Sequence, residues 1–196
     1  MGDMRTIAEP YTYAEEIKKS RFIAHAAPVE TPEEAMAFLE AVRDPQATHN
    51  CWAYKIGQAY RFSDDGEPGG TAGQPILRAI EGQGLDHVMV VVTRYFGGIK
   101  LGAGGLVRAY GGVAATCLRQ APKREVRPQV PVQLSVPFEA MGGVYPVLER
   151  FAVTKEAERY TQAGLELALR LDAADLEAFR RALTDATRGK ARVWVE

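Results

Sequence analysis

Three cations, Arg94, Lys100 and Arg108, lie within TRYFGGIKLGAGGLVRAYGG (93–112), a stretch crowded with glycine. It follows a valine-rich run that reads as a strand and leads into a segment that reads as a helix. A second stretch, SDDGEPGGTAGQP (63–75), has the same plan. A helix start carries unpaired N–H groups and roughly half a positive charge. Glycine lets a ligand approach that backbone closely. Together these features describe an anion or phosphate site, with the three cations adding charge-assisted hydrogen bonds. The residues expected to face phosphate or nucleic acid are Arg21, Gly69, Gly70, Thr71, Arg94, Tyr95, Gly97, Gly98, Lys100, Gly102, Gly104, Gly105 and Arg108. Neither loop fits GxGxxG in register or GxxxxGK[ST], and turn geometry or tight helix packing explains glycines equally well. Of Tyr95 and Phe96, one must face outward if the strand alternates. An exposed aromatic beside cations is the usual stacking surface for bases.

Other chemistry ranks lower. Asp64, Asp65 and Glu67, with His49, are weak candidates for a metal site that bridges to phosphate, with His49 as a base. An acidic turn around Gly66 and Pro68 is the simpler reading. His49 and Cys51 share a strand face, but no third partner at fitting spacing accompanies them. No cofactor is expected, no metal site is assigned, and binding is ranked ahead of catalysis. KKSR (18–21) reads as a solvated basic cluster.

The whole chain limits the partners. Its 196 residues are 46% hydrophobic and 25% charged, ordinary globular usage, with a formal net charge of −1. Charge is balanced along the chain: residues 1–125 hold 14 Lys+Arg and 15 Asp+Glu, and residues 126–196 hold 10 of each. No bulk electrostatic attraction to nucleic acid or membrane follows, so any such site must come from local placement. The two cysteines form no CxxC pattern and no disulfide framework. No signal-like start and no apolar run of about 20 residues is present, so a cytoplasmic chain with no membrane contact is expected.

The elements are predicted from periodicity. SRFIAHAAPV is a strand, and TPEEAMAFLEAVRD is a helix with Thr31 as N-cap and Pro32 in its first position. NCWAYKI and AYRF form a hairpin across Gly57-Gln58. QPILRAIEG is a short helix with Pro75 first. DHVMVVVTRYF is a strand buried on both faces, and a helix covers roughly 103–120. APKREVRPQVP reads as a linker. Beyond it come a strand (130–138), a helix that Pro146 starts late or kinks, a strand beginning at VTKEAERY, an alternating strand with Leu165, Leu167, Leu169 and Leu171, a helix with Asp172 as N-cap, and the strand KARVWVE. This order, β-α-β-β-α-β, is the ferredoxin-like motif.

KKSRFIAHAAPV, ATHNCWAYKIG, RFSDDGEPGGTAGQPIL and VVTRYFGGIKLGAGGLVRAYGGVA, in that order, closely resemble the signature blocks of the IMPACT family in its bacterial YigZ-type branch. The resemblance implies an α+β fold with two domains. The N-terminal one would be like the second domain of small-subunit ribosomal protein five and domain four of elongation factor G. The ferredoxin-like C-terminal one would be like domain five of that factor. The expected boundaries are an Impact N-terminal-like domain over 1–122, a linker over 123–129 and a ferredoxin-like domain over 130–196. The family's eukaryotic members regulate translation, and no reaction is attached to the bacterial ones. The resemblance therefore implies an RNA- or ribosome-associated binding protein that regulates translation. A protein-interaction module acting on a stress or translation factor is the first alternative, and a metal-assisted phosphate-ester or nucleotide enzyme the second.

Overall fold

The computed structural model describes residues 4–195. The chain is an α+β protein that divides into two compact units, Met1–Val126 and Arg127–Glu196.

The first unit is built on five antiparallel strands. In chain order its elements are β1 (Arg5–Ile7), β2 (Tyr11–Ile17), β3 (Ser20–Pro28), α1 (Pro32–Val42), β4 (His49–Ile56), β5 (Ala59–Ser63), α2 (Gly73–Gly82), β6 (Val88–Tyr95), α3 (Gly102–Gln120) and β7 (Lys123–Glu125). The large sheet runs β2-β3-β6-β4-β5. Its middle strand, β6, is buried on both faces, as an unbroken valine run requires. Val88, Val90 and Val92 pack with α2 and α3 on one side. Met89 and Val91 join Trp52, Tyr54 and residues of α1 on the other. At the start of α1 the Thr31 hydroxyl accepts the Glu34 N–H, with Pro32 in the first turn, as the capping pattern predicts.

Local chemistry differs from expectation at three points. Helix α2 begins at Gly73, so Pro75 is its third residue. A Cβ at Gly73 would lie 2.7 Å from the Ser63 nitrogen, so the helix start is pressed against the end of β5 and only glycine fits. The segment 123–129, expected as a linker, is largely structured: Lys123–Glu125 pairs antiparallel with Arg5–Ile7. Strand β2 has no counterpart among the predicted elements. It is an edge strand whose residues alternate between half-buried and exposed, so its apolar signal is weak.

The second unit follows the β-α-β-β-α-β order: β8 (Gln129–Pro137), α4 (Val144–Arg150), β9 (Thr154–Tyr160), β10 (Gly164–Asp172), α5 (Leu176–Thr187) and β11 (Arg192–Val195), with sheet order β11-β8-β10-β9. Leu165, Leu167, Leu169 and Leu171 all face its core. A 3-10 turn over Phe138–Gly143 precedes α4, which places Pro146 in the first turn, where a missing N–H costs nothing. Asp172 does not cap a helix as expected. A 3-10 turn intervenes, and its carboxylate faces Arg127 at 3.5 Å. Among the described residues no helix is long and apolar enough to cross a membrane.

Candidate anion-binding loop and its buried support

Strand alternation carries Arg94 to the same side of the sheet as Val92, beneath α3. There it stands between Phe22 of β3 and His49 of β4, which are its register partners. Arg94 is only 5% exposed, and a guanidinium at that depth needs a counter-charge. Glu67, 8% exposed, supplies it: Arg94 Nη1 donates to Oε2 at 2.8 Å and to Oε1 at 3.1 Å. The Tyr110 hydroxyl of α3 donates to Oε2 at 2.5 Å. Burial pushes the Tyr110 phenol far upward, so it stays a donor. Arg94 Nε donates to Ser20 Oγ at 3.3 Å, and its guanidinium lies between the rings of Phe22 and Phe96, at 5.6 and 5.4 Å. His49 Nδ1 lies 2.7 Å from the Asp65 carbonyl oxygen and donates to it, while Nε2 is 3.4 Å from Glu67 Oε1.

The acidic turn holds itself together in the same way. Asp64 Oδ1 accepts from the amides of Ala72 and Gly73 at 3.1 and 2.9 Å, and Oδ2 accepts from Gly70 at 3.0 Å. Burial alone would raise the Asp64 carboxyl, but these three N–H groups outweigh it and hold it below the usual range. Asp65 Oδ2 accepts the Asn50 N–H at 2.6 Å. Asp64, Asp65, Glu67 and His49 do converge, but each carboxylate already has protein partners. Among the described residues no group of three or more His, Cys, Asp or Glu is placed to hold a metal ion.

This arrangement corrects several sequence expectations. The 63–75 loop is not an open amide-lined pocket, because Asp64 occupies the place of an external anion. The Gly70 amide is taken, and Thr71 is buried with its hydroxyl donating to the Pro68 carbonyl at 2.5 Å. Gly69 alone of that trio stays exposed without such a bond to Asp64. Arg94 is a buried ion-pair partner, not a surface phosphate ligand. Tyr95 is half-buried and ties its hydroxyl to Asp44, which raises its phenol. The outward aromatic is Phe96, which sequence left undecided. Arg21 is exposed on the opposite sheet side from Phe22, across from Glu16 and Tyr95.

The second loop remains open. Lys100 and Arg108 are exposed, as are Gly97, Gly98, Gly102 and Gly104, with Gly105 half-buried. Helix α3 starts with no side-chain cap and no acidic residue in its first turn. The Arg108 guanidinium folds back, with Nη1 3.3 Å from where a Gly104 Cβ would stand. Gly97 has a different purpose: a Cβ there would come within 1.8 Å of the Lys19 carbonyl oxygen. The β2–β3 turn therefore rests on the glycine loop and brings exposed Lys18 and Lys19 beside it. From sequence, Lys18, Lys19 and Ser20 read only as part of a solvated basic cluster, and Tyr110 carries no site signal, falling in the helical core pattern of Leu106, Ala109, Val113 and Ala114.

Comparison with known proteins places this geometry in a family. The Impact N-terminal domain matches residues 18–118, and a domain of unknown function, DUF1949, matches 134–190. A Thermus thermophilus protein, the IMPACT family member in pol 5'region, is 55% identical over 181 residues, 92% of this chain and 99% of its own. The Escherichia coli IMPACT family member YigZ is 40% identical over 193 residues, covering 95% and 94%. Mouse Protein IMPACT is 40% identical over 95 residues, 43% of this chain and 29% of its own. A crystal structure of a hypothetical protein, 39% identical, superposes with a TM-score of 0.80 over 100% of this chain and 98% of that one. With both of its units matched, this chain belongs to the IMPACT family.

Proposed function

We propose that the protein is an RNA- or ribosome-associated binding protein of the cytoplasm that acts in regulating translation. Phosphate would be held at the loop from Phe96 to Gly105 by Lys100, Arg108 and the first-turn amides of α3. The supporting observation is the start of that helix, 19 residues long, with no cap and no acid but with Lys100 just before it and the Arg108 guanidinium laid over it. Cations at the positive end of a helix dipole are unfavourable unless an anion joins them. Lys18 and Lys19, beside Gly97, extend the basic surface.

Filter binding with transfer, ribosomal and random RNAs tests this. Retention should fall steeply with salt, because each neutralised phosphate releases counterions. Lys100→Glu with Arg108→Glu should weaken binding to all sequences alike and lower the salt slope by about one per lost contact. RNA retention that is absent, or indifferent to salt, sinks the reading.

A protein partner is the second reading. Edge strand β5 presents Tyr60, 58% exposed, and Phe62 on one side of the sheet, a surface that a partner strand or apolar patch would cover. A pull-down with and without nuclease separates the two, since capture that survives nuclease points to protein.

A further inference from the structure

Phe96 is 47% exposed, yet it is firmly placed. Its backbone N–H donates to Thr48 Oγ1 at 3.0 Å. Its ring lies 5.4 Å from the Arg94 guanidinium, which Phe22 backs at 5.6 Å and which Glu67 and Ser20 hold by hydrogen bonds. A buried ion pair and a buried ring thus support an aromatic that solvent can reach. The surroundings are basic. Lys18, Lys19, Lys100 and Arg108 are exposed in the turn beside Gly97, the glycine loop and the start of α3, segments that hold no carboxylate. Arg21 faces the other side of the sheet, and Arg94 is paired with Glu67. Glu67 is committed to Arg94 and Asp44 to the Tyr95 hydroxyl on the other side of the sheet, and Glu15, across from Phe22 on β2, accepts from the Tyr13 hydroxyl. Lys18 and Lys19 have φ of 48° and 67°, left-handed values that cost energy in residues with side chains. Asparagine or glycine would relieve that strain, but would remove both charges from beside the aromatic.

We infer that Phe96 is a stacking platform for an unpaired nucleobase, so that the ligand of this loop is single-stranded RNA rather than a duplex. The inference rests on the RNA-binding reading above and narrows it. A duplex buries its base faces and offers phosphates, 2′-hydroxyls and groove edges, none of which a fixed aromatic can stack on. A single strand offers both phosphates for the lysines and a base face for the ring.

The test uses the full chain and a 12-nucleotide RNA carrying 2-aminopurine, either single or annealed to its complement, at two salt concentrations. Native protein should quench the 2-aminopurine on binding and prefer the single strand by about tenfold or more. Phe96→Leu should abolish the quenching and weaken single-strand binding about tenfold, with the salt slope unchanged, because stacking releases no counterions. Phe96→Trp should retain both. Lys100→Glu should lower affinity and salt slope while quenching persists at saturation. Circular dichroism and a thermal melt check that the Phe96 variants fold. Equal affinity for single strand and duplex, or unchanged quenching in Phe96→Leu, overturns the inference and leaves RNA binding standing. Absence of any salt-sensitive RNA binding sinks both. Binding of a protein partner that Phe96→Leu weakens, with RNA binding untouched, assigns the ring to that partner and overturns the inference.

Discussion

Glu67 and Arg94 form an ion pair with an N–O distance of 2.8 Å and side chains only 3% and 6% exposed. The pair joins the 63–75 turn to the end of strand β6, and Tyr110 of α3 completes it. Its members are not interchangeable with their neutral analogues, because a lone charge left at that depth has no water to replace its partner. Glu67→Gln should therefore destabilise the first unit by about 3–5 kcal/mol. Glu67→Leu combined with Arg94→Met, which removes both charges, should recover most of that loss. Urea denaturation followed by tryptophan fluorescence in a Trp194→Phe background reads the first unit alone, through buried Trp52. A double variant no more stable than Glu67→Gln would show that the pair's worth is not electrostatic.

Acid should loosen the same turn. Burial would raise the Asp64 carboxyl, but the amides of Gly70, Gly73 and Ala72 bring it below its ordinary value. Burial would likewise raise the Asp86 carboxyl, but the Gly57 amide and Lys55 more than offset it and hold it below its ordinary value. Groups lower in the folded than in the unfolded state stabilise fully above about pH 4, the ordinary aspartate range, and lose that contribution as pH falls through their folded values. Asp64→Asn should cost about 1 kcal/mol at pH 7, and the gap to the native protein should narrow as pH falls below the ordinary aspartate range toward the lowered folded value. Urea midpoints at pH 7, 4 and 3 measure it, and a gap independent of pH would contradict the role given to Asp64.

What could be read from sequence was local. Thr31, Pro32 and Glu34 lie within one helical turn, and Leu165 to Leu171 alternate along one strand, so propensity and periodicity suffice for both. The Glu67–Arg94 and Glu67–Tyr110 bonds span 27 and 43 positions, and no periodicity connects them. A cation in a glycine-rich segment looks like a ligand-binding residue whether or not a carboxylate from another turn has reached it first. That is why Arg94 and Gly70 look open in the sequence although Glu67 and Asp64 engage them, while Lys100 and Arg108 are exposed. Asp64 was legible as a turn acid, but its capture of three amides depends on how β5 presses on α2.

The glycines should separate cleanly by mutation. Gly97→Ala puts a Cβ 1.8 Å from the Lys19 carbonyl oxygen, so backbone must move and the basic turn must shift. A loss of about 1–3 kcal/mol is expected, as for other overpacked sites. Gly112, inside α3, has nothing within 4 Å of its Cβ position. Helix packing therefore does not require it, and Gly112→Ala should stabilise by up to about 1 kcal/mol. Thermal melts of the two variants should move in opposite directions. A destabilised Gly112→Ala would mean that α3 must flex at that point.

The cysteines should be silent in the native protein. Cys51 and Cys117 are fully buried under α2 and α3. Burial drives the Cys51 thiol far above its ordinary value, its S–H donates to the Asp64 carbonyl at 3.1 Å, and burial pushes Cys117 up to about 12. Because the thiolate is the nucleophile, neither should react with iodoacetamide at pH 8 while the first unit is folded. Both should react once urea unfolds it. Labelling rate against urea concentration then reports opening of this core, independently of the tryptophan signal. Fast modification of either thiol without denaturant would place it in a locally open segment and contradict the packing of α3 on the sheet.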